Sequence, residues 1–269
     1  MTETERLTAT GGTLGESIRI NAAGGDAGHV RGMDGMAVRA NGINRKLAAR
    51  RVAAGRGPGR VSPVYTPDPG TWMKRREILG ASARLADEEG IWRLSVRAVA
   101  KSMHLVGPTL SYYFPNREAM VAEIVTEHLY TLTQRVGDAI DGAAEGGPAA
   151  ELEAFAAAFL TLALTDGYEH RLMIRSGDVL PAQERRGVGL RWAILRELVE
   201  ERLVGAAPAL ADRPAAAKAL VMGLLSALSG AALWDQPGGE AEARDLAAVL
   251  VGAALMAAEG PPAIHAKLL

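Results

Sequence analysis

The 269-residue chain is 48% hydrophobic and only 4% aromatic, with a formal charge of −1, which suits one large domain or two modest ones with real cores. It has no cysteine, which excludes disulfides, thiolate metal sites and cysteine nucleophiles together. Near-zero net charge means that any nucleic-acid surface has to come from local asymmetry, not from bulk charge.

Alanine, leucine, glycine, valine and arginine dominate, and few stretches look like strands, so the expected class is all-α. Residues 1–70 have scattered glycine, no sustained period and a string of turn signals in "GRGPGRVSPVYTPDPG". They are expected to form a largely disordered, basic extension. Arg39, Arg45, Lys46, Arg50, Arg51, Arg56 and Arg60 fall there, with no acidic residue between Asp34 and Asp68. A basic arm that follows a phosphate backbone and a plain solvated tail, or an over-extended start, both fit this composition. The first residues include acids and have no apolar core, so they do not read as a signal peptide.

Helical periodicity begins at Thr71. Ile78, Ser82, Leu85 and Ala86 share one face of a first helix, which the glycine at position 90 stops. Ser95 offers an N-cap to a short second helix whose Val96, Val99, Ala100 and Met103 face inward. After a break at residues 104–107, Pro108 suits the first turn of a third helix, in which Leu110, Tyr113 and Phe114 share a side. Phe114 is expected in the core and Tyr112 on the exposed side. Asn116 caps a long fourth helix with Val121, Ile124, Val125, His128 and Leu132 as its stripe. A short helix, a tight connection and a second short helix make a helix-turn-helix, whose second helix enters the DNA major groove. No acidic residue lies between Glu89 and Glu118, whereas Arg93, Arg97, Lys101 and Arg117 do; that face is built for an anion.

The run "RREILGASARLADEEGIWRLSVRAVAKSMHLVGPTLSYYFPNREAMVAEIV", residues 75–125, closely resembles the N-terminal DNA-binding domain of the TetR (tetracycline repressor) family, with "SVRAVA", "PTL", "YYF" and "NREAMV" in the family's order. The resemblance implies an all-helical homodimer with a variable C-terminal ligand domain. It also implies a repressor that binds a palindromic double-stranded operator and is released by a small-molecule effector. Carried over, Ser95 is the usual hydroxyl cap, Ala100 the small packing residue, Thr109 and Leu110 the "TL" of the recognition helix, Tyr113 and Phe114 its closing aromatic pair, and Arg117 the basic residue opening the fourth helix. The implied DNA contacts are Ser95, Arg97, Gly107, Pro108, Thr109, Ser111, Tyr112, Tyr113 and Arg117, with hydroxyls and phenols donating to phosphates. Three positions depart from the family pattern. His104 stands where a turn glycine is usual and is expected to be left-handed. Val106 replaces a hydroxyl cap, and Ser111 replaces a tyrosine.

Residues 137–148 are expected to end the fourth helix and form a loop. Domains are accordingly placed at 71–132 for DNA binding and 133–260 for effector binding and dimerisation, with a tail at 261–269. Within the second domain Phe155, Phe159 and Leu162 form one helix face, and Trp192, Leu195, Leu198 and Val199 another. Phe159, Met173, Arg175 and Trp192 are the effector candidates. The last two helices are rich in small residues and suggest a four-helix dimer interface that includes Leu224, Leu228, Leu250 and Leu255. The apolar run 219–234 is shorter than the roughly 20 residues a spanning helix needs, so the chain is expected in the cytoplasm, off the membrane. No HExxH, GxSxG, P-loop or dinucleotide fingerprint is present, and no metal, cofactor or catalytic residue is assigned. A helical interaction module with a degenerate helix-turn-helix and a small helical enzyme are the alternatives.

Overall fold

The computed structural model describes residues 29–31, 37–39, 69–105, 107–231, 233 and 239–260. Nine α-helices are present among them: α1 (Pro69–Glu89), α2 (Val96–Ser102), α3 (Gly107–Tyr113), α4 (Arg117–Gly142), α5 (Gly147–Thr165), α6 (Gly167–Arg175), α7 (Ala182–Ala206), α8 (Pro214–Ala231) and α9 (Glu240–Glu259). Short 3₁₀ turns at Ala144–Gly146 and Pro208–Leu210 join α4 to α5 and lead from α7 towards α8. The expected helical class holds, with one addition in the basic extension. Strands β1 (His29–Arg31) and β2 (Ala37–Arg39) pair antiparallel, Val30 opposite Val38. That segment was expected to lack regular structure; its β-branched valines favour a strand locally. The remainder of the extension and the tail 261–269 lie outside the described residues, as does Val106.

The periodic faces read from the sequence are the buried ones. Ile78, Ser82 and Ala86 on α1, and Val121, Ile124, Val125, His128 and Leu132 on α4, are all buried. Gly90 ends α1 at φ 92°, a conformation that costs glycine nothing. The fourth helix runs further than expected, through Gly137 to Gly142. Leu132, Val136 and Ile140 continue one stripe at i, i+4 spacing, and all three are buried, so core packing overrides the weak helix preference of glycine. The boundary expected at residue 132 therefore falls inside α4, a single rod shared by both halves.

Helix α5 is the centre of the larger half, packing on α4, α7, α8 and α9. Leu152, Phe155, Phe159, Leu160 and Leu162 are fully buried along it. Helix α6 lies between the halves and packs on both α1 and α4. By length and composition alone, Ala144–Thr165 and Pro214–Ala231 are long and apolar enough to cross a membrane. In this fold α5 is wrapped by other helices, and α8 packs on α5, α7 and α9.

Candidate nucleic-acid interface

Helix α2 starts because Ser95, in extended backbone, accepts a hydrogen bond from the Ala98 N–H at 3.1 Å. It stops in a turn where Leu105 N–H reaches Ala100 O at 2.8 Å and His104 N–H reaches Lys101 O at 3.2 Å. That pair of bonds is a Schellman closure. His104 occupies its left-handed position at φ 54°, as the missing glycine required.

Val99 and Ala100 of α2, and Leu110 and Phe114 at α3, are buried. This anchors two helices of seven residues each, too short to persist alone. Arg75 of α1 stacks its guanidinium 4.6 Å from the Phe114 ring centre and pairs with Glu123 of α4. One side chain thus ties α1, α3 and α4 together. Asn116 then caps α4, accepting from Ala119 N–H at 2.8 Å.

What remains outside is polar and cationic. Ser95, Arg97, Lys101, Ser111 and Tyr112 are exposed; Tyr112, at 76%, exceeds Trp92, at 68%, the other exposed large aromatic of this region. Tyr113 is half-buried and meets the Tyr112 ring edge-on at 5.5 Å. Gly107, Pro108 and Thr109 open α3.

Arg117 is less free than its sequence position suggests. Its guanidinium donates to Glu118 Oε1 at 2.8 Å and to the Trp92 carbonyl at 3.4 Å, and lies 5.1 Å from the Trp92 ring centre. The Glu118 carboxyl sits below the usual carboxylate range, held by its own backbone N–H and then by Arg117. Trp92 was missed by sequence reasoning; its signal was an apolar residue immediately after a helix stop, outside any periodic face.

The interior candidates divide. Phe159 and Met173 are buried and Trp192 is half-buried, with its ring 6.3 Å from that of Phe159. Between α4 and α6, His128 Nε2 lies 3.0 Å from His170 Nδ1, and the His170 ring stands edge-on to Phe159 at 5.5 Å. Burial pushes His128 down to about 4 and His170 to about 3, so both are neutral near pH 7. His170 Nε2 is buried with no hydrogen-bond partner. A buried orphan of this kind in an aromatic setting is unusual.

Arg175 does not join that cluster. In α6 it shares with Arg171, at i and i+4, the face toward α1, where both pair with Asp87 at 3.2 and 2.7 Å. The opposite face carries His170 and Met173 inward. Leu224 and Leu228, expected at the dimer interface, are buried within the chain itself. Leu250 and Leu255 are half-buried. The outward apolar side chains of α8 and α9 are Met222, Leu246, Val249 and Met256. A separate groove of about 470 Å³ runs between α4, α5 and α9, with Arg135, Asp138, Thr161 and Arg244 among its walls.

Residues 78–124 match the family described as bacterial regulatory proteins, tetR family. No curated protein matches the chain. Among solved structures, a TetR-family transcriptional regulator from Bordetella parapertussis 12822 is similar at 21% identity, over 68% of this chain and 94% of its own, with a TM-score of 0.63. The ketosteroid transcriptional regulator KstR2 of Mycobacterium tuberculosis aligns at 19% identity over 67% and 94%, TM-score 0.58. AibR in complex with isovaleryl coenzyme A and operator DNA aligns at 20% identity over 67% and 97%, TM-score 0.57. At these identities the likeness is one of fold.

Proposed function

We propose that residues 78–124, which match the tetR-family model, form the DNA-binding domain of a ligand-responsive repressor. It binds a palindromic operator as a homodimer, in the cytoplasm, and a small molecule releases it. The observation that carries the reading is the α2–α3 surface: Leu110 and Phe114 face in, while Ser95, Arg97, Lys101, Ser111 and Tyr112 face out with no carboxylate in residues 90–117. Tyr113, Gly107, Pro108 and Thr109 complete the contact set around α3. Two copies of α3 one helical turn apart would read an inverted repeat. The neighbour AibR, crystallised with both a coenzyme A thioester and operator DNA, supports pairing the two activities in one chain. The mechanism needs no catalysis: an effector that binds better to the non-binding arrangement of the heads shifts the population away from DNA.

The effector site in this reading is the interior of α4, α5, α6 and α7 around Phe159, Met173, Trp192 and the histidine pair. His170 Nε2 supplies a polar handle in a largely apolar surround, the usual make-up of a small-molecule site. A salt-dependent gel shift on the DNA upstream of the protein's own gene tests the DNA half. Retardation that weakens steeply with salt is the expected result; no retardation at low salt would sink the regulator reading and leave the interaction module. His170→Leu is expected to keep duplex binding but lose release by any effector identified from a co-purified molecule.

A further inference from the structure

Trp92 is 68% exposed, in the turn between Gly90, which stops α1, and Ser95, which caps α2. Its neighbours satisfy the local core without it, since Leu94 is buried and Ile91 half-buried. The indole is nonetheless not loose. Arg117 stacks on one of its faces and donates to its carbonyl, which pins the ring beside the amino end of α4, where Asn116 caps the helix. Arg93 and Arg97, both exposed, flank it along the chain. Trp92 Nε1–H has no partner among the described residues.

We propose that Trp92 is a DNA-backbone contact, its ring edge packing on a deoxyribose and its Nε1–H donating to a phosphate oxygen beside the groove that α3 enters. The inference rests on the DNA-binding reading and extends it to a residue that reading did not include. Three features support it. An indole nitrogen is a donor only, matched to an acceptor-only phosphate, and the ring around it is apolar like the sugar. One ring face is already covered by a guanidinium, which leaves the edge and the opposite face to a partner and keeps the ring from intercalating. The Arg117 charge is balanced by Glu118 at 2.8 Å, so the arginine serves mainly to hold the indole in place and adds little as a bare phosphate cation.

The test is fluorescence anisotropy with a labelled duplex spanning the DNA upstream of the protein's own gene, over a range of salt, with tryptophan emission read in parallel. Trp92→Ala is expected to weaken binding about tenfold, the scale of one lost hydrogen bond together with the lost ring packing. Trp92→Phe, which keeps a ring and loses the donor, is expected to fall about half as far on a logarithmic scale. Neither variant should change the salt slope, because a neutral N–H displaces no counterion. Duplex addition should perturb the emission of the wild type more than that of Trp92→Phe, which keeps Trp72, Trp192 and Trp234. Trp92→Ala combined with Arg117→Ala should bind no worse than the weaker single variant. Wild-type affinity in both Trp92 variants, or an emission change in Trp92→Phe as large as that of the wild type, overturns the proposal while leaving DNA binding intact. Failure of the wild type to bind the duplex at low salt removes both. If circular dichroism shows that Trp92→Ala misfolds, Trp92→Phe decides alone.

Discussion

The two halves of the molecule hold short and long helices by different means. In the head, α2 and α3 have seven residues each and rely on directional contacts: Ser95 and Asn116 as caps, a Schellman turn at His104, and Arg75 across Phe114 and Glu123. In the body, α5 runs 19 residues with no side-chain cap at its start and is held by close packing of alanine, leucine and phenylalanine. The head therefore spends its polar groups on shape and keeps a cationic, hydroxyl-rich exterior. The body keeps its polar groups few and buries two of them, His128 and His170, against each other. In the proposed function, an outward surface that meets a charged polymer and an inward one that accepts a small molecule call for these opposite arrangements.

The contrast breaks first at the anchor of α3. Phe114→Ala removes a fully buried ring and is expected to cost about 3–5 kcal/mol, seen as a lower urea midpoint together with lost duplex binding. A variant that kept duplex binding would mean that the caps alone hold the recognition helix. The next test belongs to the body. Both buried histidines stay neutral in the folded chain, whereas unfolded histidine takes a proton near 6.5. As pH falls from about 6.5 towards 4 the unfolded state binds more protons, so stability is lost, by something on the order of 3 kcal/mol for a group shifted this far. The melting temperature of the wild type should drop through this window, and that of a His128→Leu/His170→Leu double variant should drop less.

A smaller effect sits at the seam. Arg171 lowers the Asp87 carboxyl below its ordinary value by hydrogen bonding, and both side chains are mostly buried. The ion pair contributes fully above an unfolded value near 3.8 and is lost only as pH falls through the lower folded value. At neutral pH, Asp87→Ala should thus cost about 2 kcal/mol. Arg175→Ala, whose side chain is half exposed, should cost no more than about 0.5 kcal/mol. A double-mutant cycle in urea between positions 87 and 171 checks this; zero coupling would mean that the ion pair adds nothing to the packing of α6 on α1.

The head was legible because its signals are local. A hydroxyl before an apolar period, a glycine after one, and a proline inside the next turn each constrain backbone within a few residues, and the same is true of the left-handed His104. The end of α4 was not legible, because Gly137 and Gly142 read as breakers until the stripe Leu132, Val136, Ile140 is seen to face α5. The interior cluster of the body, the proposed effector site, was only half legible. Phe159 and Trp192 announce themselves by type, but which of Arg171, Arg175 and His170 turns inward depends on the rotation of a nine-residue helix set by α1 and α4. Trp92 was hidden for the opposite reason: nothing periodic includes it, and its partner lies 25 residues away.

The faintest effect on the chain itself concerns α8 and α9. Leu224 and Leu228 are consumed by the core, so the side chains left to meet a second copy are Met222, Leu246, Val249 and Met256. Val249 and Met256, at 67% and 68% exposed, lie seven residues apart on one helix, hence on one face. A surface substitution there should change the stability of the isolated chain by less than about 0.5 kcal/mol. Placed in an apolar dimer seam, a carboxylate would instead be desolvated without a partner. Val249→Asp/Met256→Asp is therefore expected to give a folded monomer by sedimentation, with duplex binding weakened because one head no longer delivers the other to its half-site. Leu224→Ala should do the reverse, lowering the melting temperature through a core cavity and leaving the protein a dimer. A monomeric wild type would remove the dimer from the proposed function, and a dimeric aspartate variant would move its interface off this face.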